Sequence, residues 1–448
     1  MTTEPENISP EKSAAPVLEE GARVRLTIEK LVEGGAGIGR LDGRVVFVDR
    51  ALAGEEVEVE IFQVKRRFAR GRAVRVLRES PERVEPPCPH FLEGCGGCQW
   101  QNLSYEAQLR AKVEMLRETL VRIGQFQKFP MRDAVPAPRT LDYRNKFGFT
   151  QDRGVFGMHF LNSHRVIPVE RCLIQEPLLQ EIFVILGSHY PLLLRSVQGE
   201  GTVREVFVRG SGATREFLVV LRTDRTAKLT AEGLAPWLEA LPASVVGVIH
   251  DAGKQKNVLR GRDFYWDEVA GMRFRFTHGS FEQSNREQSE ALLKTVLDGL
   301  PEAAHQPADV YCGAGFLTLP LAKRFGRAVG IERSAAATED ARVSAKENAV
   351  PGAAFLEGDV DEHLDALTDS DVVVVDPPRA GLTPRLCARL LKLRPPHLAY
   401  VSCNPATLAR DLRALVDGGY RLASLTPIDM FPQTYHVETV AHLRSGGS

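Results

Sequence analysis

Cysteine is the residue with the most chemistry open to it in this chain, and its seven copies are unevenly spaced. Cys88, Cys95 and Cys98 fall within eleven residues, with Gly96 and Gly97 between the last two, and Cys172 follows in a later segment. The polar N-terminus lacks the apolar stretch of a secretory leader, so a cytoplasmic protein with reduced thiols is expected rather than a disulfide framework. Four thiolates on bent loops suit either zinc or an iron–sulfur cluster, and spacing alone does not choose between them. His90 could also ligate, although a surface histidine is the commoner case. Cys312 and Cys387 read as structural, one at a strand end and one in a helix.

Cys403 is of a different kind. It lies in Val401-Ser402-Cys403-Asn404-Pro405, at the end of an apolar run and before a helix. A thiolate in front of a helix N-terminus is electrostatically favoured, so this cysteine is placed for reactivity; a buried structural thiol is the alternative. Asp376, in Asp376-Pro377-Pro378-Arg379-Ala380-Gly381, ends the apolar run before it.

A nucleotide site is expected beside them. Tyr311-Cys312-Gly313-Ala314-Gly315 follows a short apolar strand and precedes a helix, and its two glycines let backbone approach a ligand closely. Thr318 stands where a dinucleotide fingerprint has its third glycine, so the loop alone leaves a dehydrogenase open. Glu332 ends the next strand, where a carboxylate can accept both ribose hydroxyls, and Asp359 ends the third, where an adenine edge is commonly met.

The elements that must position these groups change along the chain. After a tail (residues 1–15, expected to be disordered), residues 16–80 alternate like short strands with glycine turns and predict a small β-barrel. Between Lys65 and Arg78 it carries seven basic residues and no acidic one, with Phe68 among them, a pattern suited to RNA phosphates and a stacked base. A Pro-rich joint, Pro81 to Pro89, leads into the cysteines. Residues 81–273 then read as a central β-rich domain with one helix near 104–123, capped by Ser104, its apolar stripe running through Leu109, Val113, Leu116, Leu120 and Ile123. That helix reads as an ordinary amphipathic one that packs on the catalytic domain.

From residue 274 to 448, strand and helix alternate. Candidate strands are Ala308–Cys312, Ala328–Ile331, Ala353–Leu356, Val372–Val375 and Leu398–Ser402, with helices such as Ser334–Asn348 and Ala406–Val416 between them. Near-continuous apolar strands of this kind imply a buried parallel sheet, hence a Rossmann-like α/β domain. Net charge is −1, so bulk electrostatics do not announce a nucleic-acid partner, and no apolar run reaches the ~20 residues of a membrane span.

Taken together, four strings resemble the RNA (uracil-5-)-methyltransferase family. They are Phe281-Glu282-Gln283-Ser284-Asn285, the Asp376 string, Ser402 through Asp411 (SCNPATLARD), and Asp429 through Glu438 (DMFPQTYHVE). The N-terminal barrel resembles the TRAM domain of that family, and Cys88, Cys95, Cys98 and Cys172 its [4Fe-4S] ligands. The resemblance covers nearly the whole chain after the tail and implies S-adenosylmethionine as methyl donor. It implies Cys403 as the nucleophile that adds to carbon 6 of uracil, and Glu438 as the base that removes the carbon-5 proton. Gln283, Tyr311, Glu332, Asp359 and Asp376 match cofactor-contacting positions, while Phe316 departs from the polar residue usual after the second glycine. Tyr143-Arg144-Asn145-Lys146 is a further expected RNA contact.

Ribosomal RNA, in particular 23S, is the expected substrate, with transfer RNA the alternative and a monomer sufficient. A radical methylthiotransferase would need a CX3CX2C triplet, which is missing here. A non-catalytic RNA-binding iron–sulfur protein would leave Cys403, Asp376 and Glu438 without a role.

Overall fold

The computed structural model describes residues 18–152, 154–199 and 201–446. The expected N-terminal tail, residues 1–15, lies outside them. Two compact units divide the chain, with the boundary between Val84 and Glu85.

The first unit is one six-stranded sheet: β1 (Arg23–Thr27), β2 (Lys30–Leu31), β3 (Gly37–Leu41), β4 (Arg44–Asp49), β5 (Glu56–Val64) and β6 (Phe68–Arg78), in the order β1-β5-β6-β4-β3-β2. Alternation along β5 buries Val57, Val59 and Ile61 and turns Glu56, Glu58 and Glu60 outward. Those glutamates stand opposite Arg78, Arg75 and Arg72 of β6. Three of the seven basic residues in the run thus face a glutamate across the sheet, and Arg72 pairs with Glu60 at 3.2 Å. Lys65, Arg66 and Arg67 occupy the exposed turn between the two strands.

The second unit opens with α1 (Pro89–Glu93) and α2 (Tyr105–Arg122). Next come β7 (Lys146–Asp152), β8 (Val155–His159), β9 (Val166–Pro168), α3 (Pro177–Ser188), α4 (Tyr190–Arg195), β10 (Val203–Ser211), β11 (Glu216–Thr223), α5 (Ala235–Ala240), β12 (Val245–Asp251) and β13 (Lys256–Gly261). The seven strands form one sheet, ordered β13-β12-β11-β10-β7-β8-β9. A hairpin, β14 (Phe264–Val269) and β15 (Met272–Thr277), leads into the C-terminal part. Its Tyr265, Phe274 and Phe276 share one core with Leu218 and Val220 of β11 and with Leu292 and Val374 further on. That shared core is why residues 85–448 cluster as a single unit rather than separating near 273.

The C-terminal part follows as α6 (Arg286–Asp298), β16 (Ala308–Val310), α7 (Thr318–Phe325), β17 (Ala328–Glu332), α8 (Ala335–Glu347), β18 (Ala353–Glu357), β19 (Val372–Val375), α9 (Pro384–Leu393), β20 (His397–Ser402), α10 (Pro405–Asp417), β21 (Tyr420–Ile428) and β22 (Glu438–Ser445). The sheet order is β18-β17-β16-β19-β20-β22-β21, and only β22 runs against its neighbours. Five parallel strands thus end at one edge, where open α/β sheets bind ligands. Val372–Val375 is buried throughout, as a central strand covered on both faces must be.

Helix α2 departs from the amphipathic reading. Ser104 occupies its N-cap position but makes no side-chain cap. Its buried face is Ala107, Gln108, Lys112, Leu116 and Leu120, while Ile123 lies exposed beyond its end. Two polar side chains therefore replace part of the apolar stripe, because each meets a specific partner in the 429–433 segment.

Candidate active site

Strand β16 stops two residues earlier than its apolar pattern, because Tyr311 turns to φ 69°. A non-glycine residue holds that conformation only when its surroundings enforce it. Gly313 and Gly315 continue the turn at φ 54° and 82°, and a Cβ on Gly315 would lie 2.7 Å from Leu319 Cδ1. Thr318, at the missing third glycine, donates its hydroxyl to buried Asp309 Oδ2 at 2.6 Å and so ties helix α7 to strand β16. Glu332 accepts the Gly313 N–H (3.1 Å) and the Ser334 N–H (2.7 Å), which aims its carboxylate across the loop. Phe316, the departure from the family pattern, packs on Phe274 with ring centroids 5.7 Å apart.

The string Ser402 to Asp411 is largely a scaffold for the neighbouring loop. Asn404 caps α10 through Ala406 N–H and donates its amide to Arg379 O at 3.0 Å. Thr407 donates to Arg379 O and Arg410 to Ala380 O, while Asp411 accepts from Leu382 N–H and Tyr400 OH. These bonds join the end of β20 to the loop after β19, so Cys403 and Asp376 face one space.

That space is a cavity of about 920 Å³ lined by Gln283, Tyr311, Glu332, Asp359, Asp376, Cys403 and Glu438. Every nucleotide and catalytic candidate from the sequence is therefore on a single wall system. Arg144, Lys146, Arg379, His436, Phe281 and the Gly96–Gly97 turn complete it. Arg379 and His436 lie within the family strings, and nothing in their type or spacing marks them, because their roles come from neighbours distant in sequence. In Tyr143-Arg144-Asn145-Lys146, expected as an RNA contact, Tyr143 and Asn145 are buried. They face inward to anchor Pro432 O and Gln283 O, leaving Arg144 and half-buried Lys146 at the wall.

Burial, then Glu438 and Asp376, push the Cys403 thiol up to about 11. Arg379 opposes this by donating a hydrogen bond to the sulfur. Burial raises Asp376 to about 7 with Asp309 adding to it, and burial followed by Asp376 holds Glu438 well above the carboxylate range. His436 is lowered to about 4 by burial and by Arg379, Lys112 and Arg144, so its ring is neutral. A buried site with three acidic groups holds its protons until positive charge is brought beside them.

Residues 241–445 match the family described as tRNA (uracil-5-)-methyltransferase, and residues 17–74 match the TRAM domain. A protein of Gloeobacter violaceus named as an uncharacterized RNA methyltransferase is 37% identical over 449 residues, covering 95% of this chain and 97% of the relative. One of Aquifex aeolicus with the same description is 37% identical over 431 residues, covering 94% and 98%. The chain belongs to the RNA (uracil-5-)-methyltransferase family. The Pyrococcus abyssi tRNA (uracil-54, C5)-methyltransferase, solved with S-adenosyl-L-homocysteine, superposes with a TM-score of 0.76 at 28% identity over 94% of this chain and 99% of that one. This enzyme is accordingly an S-adenosylmethionine-dependent α/β methyltransferase with an N-terminal TRAM domain, acting on RNA. Among the described residues no helix is long and apolar enough to cross a membrane.

The methyltransferase's four-cysteine region forms a second, small cavity lined by Cys88, Cys95, Cys98 and Cys172. All four are free thiols. Burial pushes Cys98 up to about 12, with Cys95 and Cys88 adding to it, and it raises Cys172 further still, with Cys98 and Cys95 adding. The Gly97 N–H points at Cys95 Sγ from 3.5 Å, and Gln101 and Gln180 accept the N–H groups of Cys88 and Cys172. Among the described residues no group of three or more His, Cys, Asp or Glu side chains is arranged to hold a single metal ion. His90 is engaged elsewhere, with Nδ1 2.8 Å from Glu93 and Nε2 accepting the Glu170 N–H.

Proposed function

We propose that the enzyme methylates carbon 5 of a uracil in ribosomal RNA, 23S in particular, through a covalent Cys403–uracil adduct, and that it works in the cytoplasm. The observation that carries the mechanism is the common cavity of Cys403, Glu438 and Asp376 with the strand-end groups Gln283, Tyr311, Glu332 and Asp359. S-adenosylmethionine, when bound among those strand-end groups, supplies an electrophilic methyl carbon.

The protein must make uracil carbon 5 nucleophilic. Cys403 adds through sulfur to carbon 6, which moves an electron pair toward carbon 5 and the 4-oxygen. Arg379 favours the thiolate needed for this step, its charge opposing the raised thiol. After methylation Glu438 accepts the carbon-5 proton, the carbon 5–carbon 6 double bond re-forms, and Cys403 leaves as thiolate. Asp376, on the same cavity wall, would hold the uracil edge or the methyl donor.

The four thiols suit a [4Fe-4S] cluster in their chemistry: soft donors round one small cavity, with Cys88 and Cys98 buried, and without a disulfide to satisfy them. Cys88, Cys95, Cys98 and Cys172 would hold it, and its part is structural. Transfer RNA is the second reading, favoured by the activity named for the Pyrococcus abyssi structure.

The test is to incubate anaerobically purified enzyme with S-adenosylmethionine and unmethylated RNA, separated into ribosomal and transfer fractions. Nucleoside mass spectrometry then looks for 5-methyluridine. Product in the ribosomal fraction is expected; product only in the transfer fraction keeps the mechanism and moves the substrate. Iron and sulfide assays on the same preparation should return about four of each per chain.

A further inference from the structure

The loop joining β21 to β22, residues 429–437, begins and ends beside the proposed base, because Ile428 pairs with Glu438 across the hairpin. Its anchors come from the cysteine segment and helix α2, and also from Val135, Tyr143, Asn285 and Gln288. Lys112, 1% exposed, donates to Asp429 Oδ1 at 2.5 Å and to Phe431 O at 3.0 Å. Gln108 makes a two-way exchange with Gln433. It accepts the Gln433 N–H at 2.9 Å and donates its amide to Gln433 Oε1 at 3.0 Å. The N–H groups of Gln99 and Trp100, immediately after Cys98, both donate to Gln433 O, at 3.1 and 3.0 Å. Gln433 is thereby kept at φ 68°, a left-handed conformation that a glutamine adopts only under such constraint.

A buried lysine–aspartate pair is an expensive way to fill space, since an apolar pair of equal volume packs there without the desolvation cost. What the pair adds is direction. A charged hydrogen bond at Asp429 together with the neutral bonds at Gln433 fixes the register of the segment, whereas apolar packing admits sliding.

We propose that Lys112 and Gln108 are positioning residues for proton abstraction: with the peptide that leaves Cys98, they clamp loop 429–437 so that Glu438 meets carbon 5 of the adduct. The proposal rests on the reading of Glu438 as the base. Only one step depends on that placement. The carbon 5–hydrogen bond breaks, its proton goes to the Glu438 carboxylate, its electron pair re-forms the carbon 5–carbon 6 double bond, and the carbon 6–sulfur bond breaks to return the Cys403 thiolate.

The test uses full-length enzyme and two matched RNA pools containing ribosomal and transfer transcripts, one made with uridine and one with 5-deuterouridine. Lys112→Met and Gln108→Ala are compared with wild type and with Glu438→Gln. Clamp loss should lower kcat about tenfold to a hundredfold for Lys112→Met, and less for Gln108→Ala. Both should raise the deuterium effect on kcat, accumulate covalent protein–RNA adduct on denaturing gels, and leave KM for S-adenosylmethionine within about twofold of wild type. A purely structural role predicts adduct and turnover falling together with thermal stability, at an unchanged isotope effect, and that result overturns the proposal. Should Lys112→Met fail to fold, Gln108→Ala, which strands no buried charge, decides by the same signature. If Glu438→Gln neither traps adduct nor raises the isotope effect, the base assignment itself fails, and the clamp is left without its stated purpose.

Discussion

Two buried cysteine environments in the same unit raise a thiol's proton affinity, yet they are built for opposite ends. In the cavity of Cys88, Cys95, Cys98 and Cys172, burial is the largest cause raising Cys98 and Cys172, and neighbouring thiols add to it while Arg144 opposes it. Around Cys403 burial again acts first, but the added burden is carboxylate, and Arg379 reaches the sulfur directly. Four mutually repelling thiols are relieved only by a cation that all can bind, which is the logic of a metal cluster. One thiol facing a guanidinium can ionise transiently and return, which is what a nucleophile that must also leave requires. The lesson is that raised proton affinity alone does not separate a structural thiol from a catalytic one; the identity of the opposing charge does.

The strongest way to break this contrast is to delete each thiol in turn. Cys403→Ala should reduce 5-methyluridine formation by ~10⁴-fold or more while leaving iron content unchanged, read by single-turnover nucleoside mass spectrometry and an iron assay. Cys98→Ala should do the reverse in kind: loss of the cluster's visible absorbance and a lower melting temperature, with residual methylation tracking the folded fraction. Iron loss in Cys403→Ala, or an unchanged spectrum in Cys98→Ala, would dissolve the distinction.

The pH behaviour sharpens it. With Cys403 pushed up to about 11, only about one thiol in ~10⁴ is ionised at pH 7 in the free enzyme. Its alkylation by iodoacetamide, followed by peptide mass spectrometry, should therefore accelerate about tenfold per pH unit between 7 and 9. Arg379→Gln should slow it several-fold at each pH, since removing the opposing cation raises the thiol further.

A smaller effect concerns the donor. Asp376, raised to about 7 by burial and by Asp309, is neutral below that pH and negative above it. Affinity for cationic S-adenosylmethionine should then improve by up to about tenfold from pH 6 to 8, while uncharged-sulfur S-adenosylhomocysteine changes less. Calorimetry on wild type and Asp376→Asn, which should flatten the difference, checks this.

The smallest effect lies in the TRAM unit. Arg66→Ala with Arg67→Ala, in the exposed turn, should weaken RNA binding and lower its salt slope by ~1 to 2. Arg72→Ala should do less, because Glu60 already compensates that arginine. Filter binding across a salt series measures both.

Much of this was legible from residue order. Period-2 alternation in β5 and the apolar run Val372–Val375 state their burial directly, because the pattern repeats at the spacing of the element itself. Strand-end residues such as Glu332, Asp376 and Cys403 could be read for the same reason: parallel strands end at one edge, so a polar residue closing an apolar run faces the ligand crevice. Helix α2 was misread where Lys112 and Gln108 sit, since a polar residue on a helix is outward by default and only a partner on another segment reverses that. Likewise the arginines of β6 looked like a free basic stripe until pairing set Glu56, Glu58 and Glu60 against them. Sequence by itself determined the elements, the family strings and the identity of the nucleophile candidate, all of which are local in the chain. Tertiary structure alone decided which charges oppose one another, because the distances that govern Coulomb energy and desolvation are set by folding across more than 300 residues, as between Lys112 and Asp429.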